Sequence, residues 1–70
     1  MTDSLAVWVN GERRAFPRGT TLEALVTGLT AARGGVAAAV NETVVPRGQW
    51  RGTALAEGDR VEVLTAVQGG

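Results

Sequence analysis

L-A-V-W-V-N-G-E-R-R-A-F, residues 5–16, is the stretch on which the fold turns. It starts with an apolar, β-branched run, reaches Asn10-Gly11, and continues in a second strand-like run. Asn-Gly between two such runs is the strongest short hairpin signal, because both central positions of the tight turn require positive φ. Residues 5–9 and 12–16 are therefore predicted to form a β-hairpin, ended by Pro17 and Gly19.

Beyond the hairpin the hydrophobic period changes. Leu22, Leu25, Val26 and Leu29 recur at i, i+3, i+4 and i+7, which is one face of an amphipathic helix over 21–32. Thr20 and Glu23 have capping-box spacing, and Gly34-Gly35 supplies a natural stop. Gly28 inside the helix costs about 1 kcal/mol of propensity against Ala, so close packing on a sheet is expected there. V-A-A-A-V at 36–40 reads as a buried strand, Asn41-Glu42 as a turn, and T-V-V at 43–45 as a short strand that Pro46 ends or holds at an edge. Residues 47–55 are irregular with a helical turn, and Trp50 and Leu55 are expected to cover one end of the core. E-G-D at 57–59 is a tight turn before a last strand at 60–66.

The order β-β-α-β-β-β predicts an α+β fold: a mixed sheet of about five strands with one helix packed on one face. The first and last strands should pair in parallel at the centre, which is the β-grasp, or ubiquitin-like, arrangement. Residues 1–67 form the domain and 68–70 a Gly-Gly tail.

Composition narrows the chemistry. Seventy residues make one domain, and the 44% apolar content is that of a globular chain. No apolar run approaches membrane-spanning length and no leader opens the chain, so a cytoplasmic protein with no membrane partner is expected. Seven acidic and seven basic residues balance to zero charge, which argues against nucleic acid. Arg13, Arg14 and Arg18 form a local basic patch, read as a solvated strand edge. His, Cys, Lys and Tyr are absent, and Ser4 is the single serine. The usual nucleophile-plus-base arrangements cannot be assembled from this set, nor can a disulfide or a structural zinc site. Glu57, Asp59 and Glu62 offer carboxylates, but Glu57 and Asp59 flank a turn glycine, where solvated acids are the norm. The expectation is a protein that is not an enzyme and binds no cofactor.

Strand parity sorts the faces. Glu62 should face water, placing Val61 and Val63 under the helix and Leu64 and Ala66 on the outer face. Leu5, Val7 and Val9 are the core set of the first strand, leaving Ala6 and Trp8 outside. With these strands as neighbours, Trp8, Leu64 and Ala66 are expected to form an apolar partner-binding patch, continued by Val67 and Gln68.

The chain ends A-V-Q-G-G. Two glycines make a thin tip that can enter a narrow channel, and they leave a terminal carboxylate without a hindering side chain. V-N-G-E at 9–12, T-L-E-A-L at 21–25, A-V-N at 39–41, V-V-P-R-G-Q-W at 44–50, E-G-D-R-V-E-V at 57–63 and the terminal G-G together resemble the thiamine-biosynthesis sulfur carrier proteins, the ThiS family. The V-P-R-x-x-W segment, the G-D turn and the terminal G-G are a specific combination.

The resemblance implies a mechanism. A ubiquitin-activating-type adenylyltransferase, using ATP and Mg, would adenylate the Gly70 carboxylate, with Gly69 providing clearance. Sulfur drawn indirectly from a cysteine desulfurase would convert it to a thiocarboxylate. Thiazole synthase would accept that sulfur from a carrier that is monomeric when free. Arg47 and Arg60 are candidates to orient an acidic partner surface, Pro46 to shape its loop, and Trp50 to pack. Alternatives are the molybdopterin synthase small subunit or another ubiquitin-like sulfur carrier. Of a different class are a protein modifier that forms isopeptide bonds and a plain β-grasp interaction domain.

Overall fold

The structure is a computed structural model that describes residues 3–31 and 34–65. Asn10 and Gly11, at φ 51° and 85°, form the expected turn between β1 (Ser4–Val9) and β2 (Glu12–Pro17). These strands pair antiparallel with Val9 opposite Glu12. After α1 (Leu22–Leu29), β3 (Val36–Val40) and β4 (Thr43–Val45) form a second antiparallel hairpin. A 3-10 turn over Arg47–Gly52 leads to β5 (Arg60–Thr65). The sheet order is β2-β1-β5-β3-β4. β5 runs parallel to β1 and antiparallel to β3, so the first and last strands meet at the centre as expected.

Both hairpin turns hold β5 by its backbone. Beyond the end of β1, the Asn10 side chain takes the place of a ladder residue. Its Nδ2 donates to the Val63 carbonyl at 3.2 Å, and its Oδ1 accepts from the Val63 N–H at 2.9 Å. At the other hairpin, the Asn41 N–H donates to the Arg60 carbonyl at 2.7 Å and its Oδ1 accepts from the Arg60 N–H at 3.0 Å. Asn41 also stands at φ 51°. Asn is the non-glycine residue that tolerates this conformation while carrying both a donor and an acceptor. The E-G-D turn closes the other end of the β1–β5 seam. Glu57 Oε1 accepts from the Ala6 N–H at 2.9 Å, and the Gly58 N–H donates to the Ala6 carbonyl at 2.7 Å. Asp59 bridges the Ala56 N–H and the Asn41 amide. The turn acids are thus backbone caps as well as surface charges.

The helix departs from the sequence expectation at both ends. Thr21 is the N-cap, its hydroxyl accepting from the Ala24 N–H at 3.2 Å. Thr20 instead donates its hydroxyl to the Pro17 carbonyl at 2.6 Å. The backbone explains the shift by one. Thr20 and Thr21 are tied to residues 53–55, with the Leu22 N–H on the Thr53 carbonyl and the Leu55 N–H on the Thr20 carbonyl. The helix stops at Leu29, with Thr30 extended at its C-cap, before Gly34-Gly35 is reached. At about 1.5 Å per residue, this short helix crosses only part of the sheet.

The core lies between helix and sheet. Leu22, Leu25 and Val26 of α1 pack over Leu5, Val7, Val9, Val61, Val63 and Ala38, and Trp50 and Leu55 close one end. The Trp50 indole N–H donates to the Val45 carbonyl at 2.8 Å, and Arg47 lies 5.5 Å from its ring centroid. The V-P-R-x-x-W segment is therefore a structural plug. Gly28 is exposed, and a Cβ built there meets nothing within 4 Å. Close packing on the sheet is not what places a glycine at that position.

Two predictions follow from these contacts. Gly28→Ala should raise stability by about 0.5–1 kcal/mol, read as a higher urea midpoint at unchanged m-value. Asn10→Ala should cost about 2–3 kcal/mol, because it removes both Val63 bonds and leaves a Cβ residue at positive φ. Asn10→Gly, which keeps the turn, should recover part of that loss in the same titration.

Candidate functional site

The face of the sheet away from α1 is uncovered. Parity places Ala6 and Trp8 of β1, Arg13 and Ala15 of β2, and Arg60, Glu62 and Leu64 of β5 on it. Ala37 and Ala39 of β3 and Val44 of β4 join them through the pairs Ala37–Leu64, Ala39–Glu62 and Ala39–Val44. The three large apolar side chains exposed among the described residues are all here: Trp8 at 43%, Leu64 at 70% and Val44 at 71%.

Trp8 and Leu64 share this face, as strand parity anticipated, but they do not form one patch. The register sets Trp8 beside Arg60. Leu64 is therefore four residues further along β5, about 13 Å at ~3.3 Å per residue. The neighbours of Leu64 are instead Ala37, Ala39 and Val44, which with Glu42 and Glu62 line a shallow hollow of about 280 Å³. Sequence reading missed these three residues because β3 is apolar on both faces. In V-A-A-A-V nothing distinguishes the buried Ala38 from its neighbours on the open face. Pairing with β5 is what separates them.

The apolar hollow is the part of the open face nearest the end of β5 at Thr65. Ala66, Val67, Gln68, Gly69 and Gly70 lie outside the described residues. From Thr65 to Gly70 an extended chain spans at most about 17 Å. Any protein surface that covers Leu64 and Val44 is thus within reach of the glycines.

The polar groups around the face are exposed. Arg60 lies 3.9 Å from Glu42, and both are exposed. Arg14 pairs with Glu12 at 3.1 Å on the helix side of the β2 edge, so the basic patch at 13–18 is divided between the two faces. Among the described residues no group of three or more His, Cys, Asp or Glu is placed to hold a metal ion. No helix among them is long and apolar enough to cross a membrane.

The ThiS family model matches residues 7–70. Over 66 residues the chain is 39% identical to a thiazole synthase of Magnetococcus marinus, a match covering 94% of this chain and 20% of the relative. This chain therefore spans about a fifth of that relative's length. The fold is similar to the crystal structure of the thiamine biosynthesis protein ThiS from Geobacter metallireducens. The TM-score is 0.76 at 26% identity, with 94% of this chain and 100% of that one covered.

Exposed positions of the open face should tolerate substitution in the isolated protein. Leu64→Thr and Val44→Thr should each change stability by less than about 0.5 kcal/mol, as both positions are largely exposed and Thr suits a strand. Trp50→Phe should cost about 1–3 kcal/mol, since it removes the indole bond to the Val45 carbonyl and shrinks the core plug. Thermal unfolding of the three variants side by side checks the contrast.

Proposed function

The chain belongs to the ThiS family, and on that premise we propose that it is a sulfur carrier of thiamine biosynthesis whose working group is the carboxylate of Gly70. One observation carries the reading: the family match runs on through Gly69-Gly70 and does not stop at the folded domain. The domain is the handle and the tail is the substrate.

The chemistry accounts for the division of labour. A free carboxylate is a poor electrophile because its leaving group is poor. An adenylating partner of the ubiquitin-activating type, holding ATP and Mg, joins a Gly70 carboxylate oxygen to the α-phosphate and releases pyrophosphate. A persulfide supplied through a cysteine desulfurase then attacks the carbonyl carbon with its terminal sulfur and AMP departs, and a thiol cleaves the S–S bond of the resulting acyl disulfide, leaving a disulfide on the donor and the thiocarboxylate on Gly70. That thiocarboxylate keeps a nucleophilic sulfur covalently held until an acceptor uses it. Glycine at 69 and 70 places no Cβ in the path of either attack. The carrier performs none of these steps itself. ATP, Mg and the reacting groups other than the tail belong to its partners.

Thiazole synthase is the proposed acceptor. The occurrence of a closely similar stretch within a longer protein named thiazole synthase supports this choice. The hollow lined by Ala37, Ala39, Val44 and Leu64 is the proposed seat for the partners. It is apolar and exposed, and it is adjacent to the strand end from which the tail departs.

The test is mass spectrometry of a chain whose last residue is Gly70, incubated with ATP, Mg, the adenylating partner, a desulfurase, cysteine and a thiol reductant. The expected product gains the mass of exchanging one oxygen for one sulfur, located on the C-terminal peptide. Deleting Gly70, or appending one residue after it, should abolish the gain. No gain with a partner proven active on another carrier would leave a plain interaction domain as the better reading. Val44→Asp should raise the KM for the carrier about tenfold or more, as expected for a charge buried in an interface core.

A further inference from the structure

The chain has two asparagines, Asn10 and Asn41, and each opens a hairpin turn at positive φ. Asn10 is the one followed by glycine. Asparagine before glycine is chemically labile. The main-chain nitrogen of the next residue can attack the side-chain carbonyl carbon, and a residue without a Cβ leaves that nitrogen unshielded. After Asn41 comes Glu42, whose side chain crowds the same nitrogen. Asn10 and Gly11 are both exposed, so base and water reach the turn.

The fold restrains the group that would have to move. Asn10 Nδ2 donates to the Val63 carbonyl at 3.2 Å, and Oδ1 accepts from the Val63 N–H at 2.9 Å. The Asn10 main-chain N–H donates to the Val61 carbonyl at 2.9 Å. The two side-chain bonds are partly buried and turn the amide toward β5. Breaking two bonds of ordinary net strength holds such a movement back roughly tenfold to a hundredfold. The same bonds make the amide irreplaceable by its hydrolysis product. A carboxylate has acceptors and no donor, so it can keep the Val63 N–H but sets a negative oxygen against the Val63 carbonyl oxygen.

We propose that Asn10-Gly11 is a site of spontaneous deamidation gated by the seating of β5. When β5 releases the Asn10 amide, the Gly11 main-chain nitrogen loses its proton to solvent base and attacks Asn10 Cγ. A C–N bond forms, the Cγ–Nδ2 bond breaks, and ammonia departs, leaving a five-membered succinimide. Water then adds to one of the two ring carbonyls. Opening at Cγ restores the peptide with aspartate at position 10. Opening at the main-chain carbonyl carbon routes the chain through Cγ and leaves isoaspartate. Water is the one reagent consumed, and nothing is oxidised or reduced. Either product withdraws the donor bonded to the Val63 carbonyl. Isoaspartate also adds a methylene to the backbone of a two-residue turn, whose flanking pair is Val9 and Glu12. Opening of the β1–β5 seam thus permits the reaction, and the reaction keeps the seam loose. Gly70 and the tail chemistry take no part in it.

The test holds the full chain in warm, mildly alkaline buffer, with and without denaturing urea, and follows ammonia loss by peptide mass. Cleavage after arginine separates the two asparagines, since the Asn10 peptide ends at Arg13 and the Asn41 peptide spans 34–47. In the unfolded chain the Asn10 peptide should exchange NH2 for OH about tenfold or more faster than the Asn41 peptide, and Gly11→Ala should remove most of that difference. In the folded protein the Asn10 rate should fall about tenfold or more. Val61→Ala, which thins the packing of β5, should raise the folded-state rate several-fold. Urea below the unfolding transition applies the same loosening to wild type, whether or not that variant folds. Asn10→Asp, a stable copy of one product, should speed amide hydrogen exchange along β5 about tenfold. Equal rates at Asn10 and Asn41 in the unfolded chain, or a Gly11→Ala chain that reacts as fast as wild type there, overturn the attack by Gly11. An Asn10 rate that is the same folded and unfolded, or is unmoved by loosening β5, overturns the gate. Wild-type exchange along β5 in Asn10→Asp overturns the loosening of the seam.

Discussion

β5 occupies the gap between two hairpins, and its backbone is fixed there by side chains from their turns. On the β1 side the parallel ladder is short, because β1 turns back at Asn10. The Asn10 amide continues that ladder by bonding both polar groups of Val63. On the β3 side Asn41 does the equivalent work at Arg60. A peptide group left unpaired at the centre of a sheet costs about 1–3 kcal/mol, a large share of what a domain this small has to spare. The same two residues must also adopt positive φ to make the turns. Turn formation and the seating of the central strand are consequently one constraint.

Register then determines everything on the open face. With Trp8 beside Arg60, the exposed indole lies within a row of arginines while Leu64 joins the alanines of β3 and Val44 of β4. A face that reads as one apolar patch is divided into a charged aromatic stripe and an apolar hollow. The hollow is the part close to Thr65, which is why it is the proposed seat for a protein that takes up the tail. The opposite face is spent on the core, where α1, Trp50 and Leu55 leave little uncovered.

The strands, the Asn-Gly turn and the core parity of β1 and β5 were legible in the sequence because each rests on a local rule. Positive φ selects Asn and Gly, and alternation selects a face. The helix was legible in kind but not in extent. Thr20 and Thr21 are both suitable caps, and the choice between them is made by bonds to residues 53–55, which are more than thirty positions away. Gly28 misled for a related reason: a glycine in a helix invites a packing explanation, and only the surrounding space shows that none applies. The family was legible from the V-P-R-x-x-W block and the G-D turn. In the fold these are a core plug and a strand cap, so the most recognisable residues are structural ones.

By itself the sequence determined the element order and the core of β1 and β5, because these follow from short-range backbone preferences and hydrophobic period; the element order then suggested the parallel pairing of first and last strands, and the quoted motifs the family. Only the tertiary structure decided the stagger of β1 against β5, and with it the separation of Trp8 from Leu64 and the recruitment of Ala37, Ala39 and Val44. Strand register between residues some fifty positions apart is set by side-chain amides and turn carboxylates that bond across the seam. No local propensity encodes that stagger.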